Sequence, residues 1–324
     1  MKSTALAPVF GACLLAATTF AQAAQTETTI IKIGEHAVPV VKGGLYDRFR
    51  SNPPLSVIAA EAPDIDLSWF KGIAKEQVDI GFASYSPNFY YKNSRVTAIF
   101  TADLARLREL MPPEVLEQAQ PLQVWPGRGV IALTAYSYHY CDNDSYNEIG
   151  LSVVTNQPGS SNWGPFSLLG QSFADHFWGY VLKLPVDSEL ARVRGVVGYN
   201  LPKWLTRIDY REDEQNVVVD IFDSATQKLD VRLETQKLDV SSSKENRVTT
   251  SFTNIDRQGQ LTTGYTTSRQ LRHASTSNAD AVKLTLTDGS LSRFIASLKL
   301  GKMVKYEYVP DFQAALYAPK QLKP

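Results

Sequence analysis

G-V-V-G-Y-N-L-P-K-W-L, residues 195–205, sets Lys203 between Pro202 and Trp204 in an apolar run with no carboxylate beside it. A lysine attacks a carbonyl only as the free amine, and at a reference pKa of ~10.4 only about one in a few thousand is neutral at pH 7. Apolar surroundings favour the neutral amine over the ammonium. Tyr199, Leu201, Trp204 and Leu205 supply such surroundings locally, and Pro202 stiffens the backbone. The sequence also permits a blander lysine, whose stem lies along Trp204 and whose head reaches water.

Working outward, the chain around this stretch reads as strands. Short alternating or β-branched runs separated by Gly, Pro, Asn and Asp occur at 95–100, 129–140, 149–155, 193–197, 216–222 and 249–253. Two helices interrupt them. One starts at Thr101-Ala-Asp-Leu, carries Leu104, Leu107 and Leu110 on one face and ends at Pro112-Pro113; the other is expected around 170–180. Many strands and few helices predict a mainly β (α+β), mainly antiparallel domain or barrel. Thr-Gln-Lys-Leu-Asp-Val occurs at 226–231 and again at 235–240, an offset too short for a solenoid; the pattern predicts polar, exposed strand.

The N-terminus is of another kind. Lys2, an Ala/Leu/Phe run and Ala21-Gln22-Ala23 have the form of a secretory signal peptide, which predicts an exported protein, periplasmic or secreted. Cys13 inside the apolar core matches a lipoprotein cleavage signal poorly. Without residues 1–23, Cys141 is the sole cysteine and an intrachain disulfide is impossible. No later stretch approaches the ~20 apolar residues of a membrane span. Residues 24–82 read as an extension, with a β-like piece at 28–33 and a candidate helix near 66–78, and 83–324 as the main domain.

Lys+Arg and Asp+Glu number 33 each, so no net field recruits nucleic acid or an anionic membrane. The Cys, His and Asp residues at 139, 141, 142 and 144 straddle a strand end without a convincing fourth ligand, and no metal is expected. Ser172 near Asp175 and His176 lacks the exposed nucleophile turn, since Ala174 stands at its final glycine. No phosphate loop or nucleotide fingerprint is present, and no organic cofactor is implied. Small molecules, a keto acid or an apolar ligand, are the expected partners.

Four segments share a resemblance. Gly195 to Lys203 is similar to the active-site segment of the acetoacetate decarboxylase family, in which a glycine-led strand enters an aromatic-Pro-Lys turn. Thr101-Ala-Asp-Leu-Ala-Arg-Leu-Arg-Glu-Leu-Met-Pro-Pro-Glu114 resembles its early helix, Ser145-Tyr-Asn-Glu-Ile-Gly150 its Tyr-x-Glu turn, and Met303-Val-Lys-Tyr-Glu-Tyr308 its closing strand. The resemblance spans roughly residues 84–310. It implies an antiparallel β-barrel or cone, a homo-oligomer, Lys203 as the imine-forming nucleophile and Glu148 as an acid/base or electrostatic partner. Acetoacetate decarboxylase is also a standard illustration of an activated lysine. The same imine serves decarboxylation, aldol chemistry or dehydration.

The chain departs from that pattern in three places. Trp204 stands where the family has a second lysine, the run Gly129 to Tyr138 carries no carboxylate for a second glutamate, and Asn93 lies nearer than Arg95 to the place of an expected arginine. Arg95, Arg194, Leu201 and Trp204 are the candidate substrate-binding residues, the arginines for a carboxylate and the others as apolar wall. Arg192 and Arg194 also read as a solvated strand face, and Glu148 as a surface carboxylate in an Asn/Asp-rich turn. A barrel of this kind that has lost catalysis and binds an apolar ligand is the competing functional reading.

Overall fold

A computed structural model describes residues 27–322. The expected leader, with Cys13, lies outside the described residues. A hairpin, β1 (Thr28–Ile33) and β2 (His36–Val41), precedes α1 (Leu45–Phe49), α2 (Leu55–Glu61), a 3-10 turn at Phe70–Gly72 and a second hairpin, β3 (Glu76–Asp79) and β4 (Ala83–Ser86). The main domain follows: β5 (Asn88–Asp103), α3 (Leu104–Glu109), α4 (Pro113–Gln118), β6 (Arg128–Cys141), β7 (Tyr146–Thr155), α5 (Pro165–Phe173), β8 (His176–Lys183) and α6 (Glu189–Tyr199). Then come β9 (Ile208–Glu212), β10 (Asn216–Phe222), β11 (Leu229–Gln236), β12 (Asn246–Ile255), β13 (Leu261–Thr276), β14 (Val282–Leu286), α7 (Ser290–Ser297) and β15 (Met303–Gln321).

Seven strands close a barrel in the order β12-β13-β15-β5-β6-β7-β8, antiparallel except where β8 meets β12. A separate sheet, β14-β11-β10-β9, lies against its flank. The period of two in the strands decides what each face does. Val96 and Ala98 of β5, Leu133 and Ala135 of β6, and Ile149, Leu151 and Val153 of β7 turn outward and pack with Val217, Val219, Ile221, Val231 and Leu233 of the small sheet. Each Val, Leu or Ile among them contributes about 1.5–3 kcal/mol by leaving water. The intervening residues, among them Arg95, Thr134, Tyr136, Tyr138, Glu148 and Ser152, line the barrel interior.

The expected helix after Asp103 is there, with the Asp103 carboxylate accepting from Arg106 N–H at 3.0 Å and Pro113 opening α4. Other expectations are corrected. The run 193–197 lies inside α6: Ser188 caps the helix at Ala191 N–H, and Leu190, Val193 and Val197 follow a helical period that the β-branched valines disguise. The helix near 66–78 resolves into the 3-10 turn and β3, and the one around 170–180 into α5 and β8. The two hexapeptide copies enter and leave one strand, β11, in which Asp230, Val231 and Leu233 are buried, and Asp230 accepts from the N–H groups of Leu291 and Ser292 at the start of α7.

Residues before β5 do not hang free of the barrel. Ile33, Val38, Val40 and Tyr46 pack with Leu190, Val193 and Val197 of α6, and Leu45, Ile58, Leu67 and Phe70 with Phe89, Tyr91 and Ala315. Lys75 adds a buried ion pair with Asp142 at 2.5 Å, and Asp142 also accepts from Phe89 N–H and the Tyr91 hydroxyl. Burial opposes both charges, lowering the Lys75 pKa and raising that of Asp142, while each partner works against that shift in the other.

Candidate active site

Lys203 is placed by backbone. α6 ends at Tyr199, and Asn200 takes a left-handed conformation (φ 47°) that turns the chain sharply. Residues 184–186 then form an extended splint. On one side Ile149 N–H donates to Pro185 O at 3.0 Å beside Glu148; on the other, Leu184 and Val186 N–H donate to the carbonyls of Pro202 and Trp204 at 3.2 and 3.0 Å. The splint brings two segments 55 residues apart into register.

The side chains finish the contact. Lys203 Nζ donates to Glu148 Oε2 at 2.5 Å, and the two side chains are only 8% and 9% exposed. The lysine stem runs across Gly195 of α6, where a Cβ would come within 2.5 Å of Lys203 Cε. Tyr146 lies under the ammonium, its ring centre 5.8 Å away, and the Tyr138 hydroxyl points at Glu148 Oε1 from 3.4 Å. Tyr90 and Tyr146 share a hydrogen bond at 3.2 Å. Burial, reinforced by the neighbouring Glu148, pushes the phenols of Tyr90, Tyr138 and Tyr146 well above their ordinary range, so they act as neutral hydroxyls.

This pair opens onto a cavity of about 170 Å³ inside the barrel. Arg95, Tyr136 and Glu148 occupy one cross-strand row, Arg95 opposite Tyr136 and Tyr136 opposite Glu148. Opposed residues of neighbouring strands stand about 4.5–5.5 Å apart, so Arg95 and Glu148 lie two strands apart on the cavity wall with Tyr136 between them. Arg95 Nη2 lies 3.7 Å from Glu307 Oε2, and its Nε is buried without a hydrogen-bond partner among the described residues. Glu307 is only partly exposed, and this burial works to raise its pKa, but Arg95 and Lys305 outweigh it and hold the carboxyl below the ordinary range. Phe252, Phe312, Leu184, Leu201 and Leu316 give apolar wall, and Gly150 leaves room beside Tyr136.

The structure thus gathers Lys203, Glu148, Arg95 and Leu201 around one cavity and sends two candidates elsewhere. Trp204 turns away and packs partly buried against the main core, with the Lys183 ammonium 6.0 Å from its ring. Neighbouring residues of an extended segment face opposite sides, so a lysine facing inward forces the tryptophan out. Arg194 is buried on the far side of α6, donating to Tyr46 Oη at 3.0 Å, Ser84 Oγ at 3.2 Å and Asn88 Oδ1 at 3.4 Å. It fastens the N-terminal segment and does not line the cavity. Arg192 pairs with Glu189 at 2.5 Å. Glu148 is no surface carboxylate, and the residues around Cys141 are occupied by other contacts, His139 with Ser94 and Asp142 with Lys75.

The tyrosines and Glu307 escaped sequence reasoning. Alternation along β6 puts Tyr136 and Tyr138 on one face; that this face lines the cavity depends on barrel closure.

The acetoacetate decarboxylase from Legionella pneumophila superposes on this chain with a TM-score of 0.52 at 14% identity, over 73% of this chain and 87% of the other. The fold is that of acetoacetate decarboxylase. The enduracididine biosynthesis enzyme MppR, solved with HEPES buffer bound, shares the acetoacetate decarboxylase fold as well, with a TM-score of 0.50 at 13% identity over 74% and 88% of the two chains. No family model matches the sequence, and no curated protein matches it either. The chain is a divergent, mainly β example of this architecture, a fold that enzymes use.

Proposed function

We propose that Lys203 forms an imine with a small keto acid inside the barrel, and that the protein is a lyase acting through that imine. The observation that carries this reading is the Lys203–Glu148 contact at 2.5 Å, more than nine-tenths buried at the edge of the barrel cavity. A carboxylate at that distance accepts the ammonium proton, leaving an amine free to attack. The amine adds to the carbonyl carbon and the carbinolamine loses water, taking its proton from Glu148, to give a cationic imine. With a β-keto acid, the bond to the carboxylate breaks, CO2 leaves, and its electron pair enters the imine as an enamine. Protonation at carbon and addition of water release the ketone and the free lysine.

Arg95 is the carboxylate holder in this scheme, since its unpartnered Nε and the space beside Tyr136 suit a planar anion. The cavity suits a substrate of acetoacetate or pyruvate size: an engineered cavity of about 150 Å³ takes benzene. With a pyruvate-type acid the same imine serves aldol or dehydration chemistry. A second reading, ligand binding without turnover, draws on Trp204 in the place of a second lysine and on its position outside the cavity.

Borohydride reduction in the presence of acetoacetate and of pyruvate, followed by peptide mass spectrometry with Lys203→Ala as the control, separates the two. A reduced adduct on Lys203 alone is the expected result, and product analysis then distinguishes decarboxylase from aldolase. Absence of any adduct with either carbonyl puts ligand binding ahead.

A further inference from the structure

α5 is an amphipathic helix with its faces reversed. Phe166, Leu169 and Phe173 fall at i, i+3 and i+7, one stripe of the helix, and Trp163 continues the stripe upstream. Such a stripe ordinarily faces the core. Here no residue of the helix is buried, and these four side chains are 51% to 82% exposed. The polar side faces the protein instead: Gln171 donates from Nε2 to Thr155 O at 2.8 Å and accepts from Trp178 N–H at 3.1 Å. Specific hydrogen bonds therefore hold the apolar stripe in water. The helix start is fixed too, because Gly164 (φ 59°) packs so tightly on the Gln123 carbonyl that no side chain fits. That contact sets the helix beside Trp125, itself 71% exposed, and a surface groove of about 620 Å³ runs between Trp125 and Trp163.

We propose that this face is a two-fold contact with a second copy of the chain. Charge is the first argument. Residues 149–174 and 119–127 contain no ionisable side chain at all, and only Arg108 brings charge to the groove. In an isologous contact a surface meets itself, so a charged face repels its copy and an uncharged one does not. Shape is the second: a ridge, α5, stands beside a groove, and a two-fold axis between them seats each ridge in the other groove. Area is the third. Aromatic side chains bury roughly 150–250 Å² each, so these five at their exposures offer roughly 700 Å² per protomer, near the ~800 Å² per partner of a standard stable interface.

Sedimentation velocity on the chain without its expected leader, at micromolar concentration, tests this. The wild type should run as a dimer, and Phe166→Ser/Phe173→Ser should weaken dimerisation at least about a hundredfold with an unchanged circular-dichroism spectrum. Leu169→Glu, which sets a charge against its copy, should do the same, and Ile30→Ser, an exposed apolar residue elsewhere, should not. A wild type monomeric at tens of micromolar, or a dimer indifferent to all three α5 substitutions, overturns the proposal. Flotation with phosphatidylethanolamine/phosphatidylglycerol vesicles is run alongside. A monomer that floats with them, and ceases to when Phe166 and Phe173 are replaced, has a bilayer rather than a second copy as its partner, and that result also overturns the proposal.

Discussion

Lys203 lies against Gly195 so closely that the helix glycine has no room for a methyl group: a Cβ there would meet both Cδ and Cε of the lysine. The glycine is a groove in α6 through which the lysine stem reaches Glu148. Gly195→Ala therefore has opposed effects. In a helix interior Ala is favoured over Gly by about 1 kcal/mol, yet the lysine must move. A protein that keeps its fold and loses at least about tenfold in reductive trapping on Lys203 is the expected outcome. Undiminished trapping would show that the stem has another path.

Glu148 carries a second prediction. Removing one member of a buried ion pair costs about 3–5 kcal/mol, because the other is left charged and unpaired, whereas replacing both by apolar groups is often neutral. Glu148→Ala should lower the melting temperature strongly, and Lys203→Met/Glu148→Leu should recover most of the loss. Glu148→Gln keeps the shape and a hydrogen-bond acceptor, and imine formation should slow by roughly 10²-fold through loss of the proton acceptor. Thermal melts and trapping rates read the two effects apart.

Arg95 should act on binding. Arg95→Gln removes the guanidinium from the row it shares with Tyr136 and Glu148, so the concentration of keto acid needed for half-maximal trapping should rise roughly 10- to 100-fold. An uncharged methyl ketone should be trapped as well as before. Equal losses with both carbonyls would assign Arg95 to packing against Phe312 rather than to the carboxylate.

Lys75 tests how the N-terminal segment is attached. Lys75→Met strands Asp142 in a fully buried position where the hydroxyl of Tyr91 and the N–H of Phe89 are its other donors. A destabilisation of about 3–5 kcal/mol is expected, with earlier proteolytic cleavage before residue 88 than in the wild type. Limited proteolysis followed by mass spectrometry locates the cut. Lys75→Met/Asp142→Asn should restore protection.

Acid should loosen the same attachment at its other end. The Asp66 carboxylate accepts from Ser68 N–H at 2.9 Å and from Arg269 at 2.8 Å, and these contacts hold its pKa at about 2. A folded-state value below the unfolded one means that the contribution is complete above the unfolded pKa of 3.8 and is lost as pH falls through about 2. The side chain is half exposed, so the effect is a few tenths of a kcal/mol. The difference in melting temperature between wild type and Asp66→Asn should shrink between pH 4 and pH 2.

Several strands were legible because period-two alternation is local. Thr28–Ile33 and Asn216–Phe222 could be bounded to the residue, and the helix behind Asp103 announced itself through its cap and its prolines. Val193 to Val197 misled because valine prefers strands, while Ser188 and the packing of Leu190, Val193 and Val197 on the β1–β2 hairpin favour a helix. Arg194 misled for a related reason: its partners Tyr46, Ser84 and Asn88 lie over a hundred residues upstream.

What the sequence determined by itself is therefore the runs that became β1, β5, β6, β7, β10 and β12, the helix behind Asp103 and the residue types able to do imine chemistry, since these follow from neighbours along the chain. Tertiary structure decided the rest. Only closure of the barrel turns the face bearing Tyr136, Tyr138 and Glu148 into a cavity wall, and only the 184–186 splint carries Lys203 to its carboxylate. The register of that splint also turns Trp204 out of the site, and the Gln171 contacts to Thr155 and Trp178 leave the apolar stripe of α5 in solvent. Side-chain direction depends on which backbone groups pair across dozens of residues, and no local pattern contains that information.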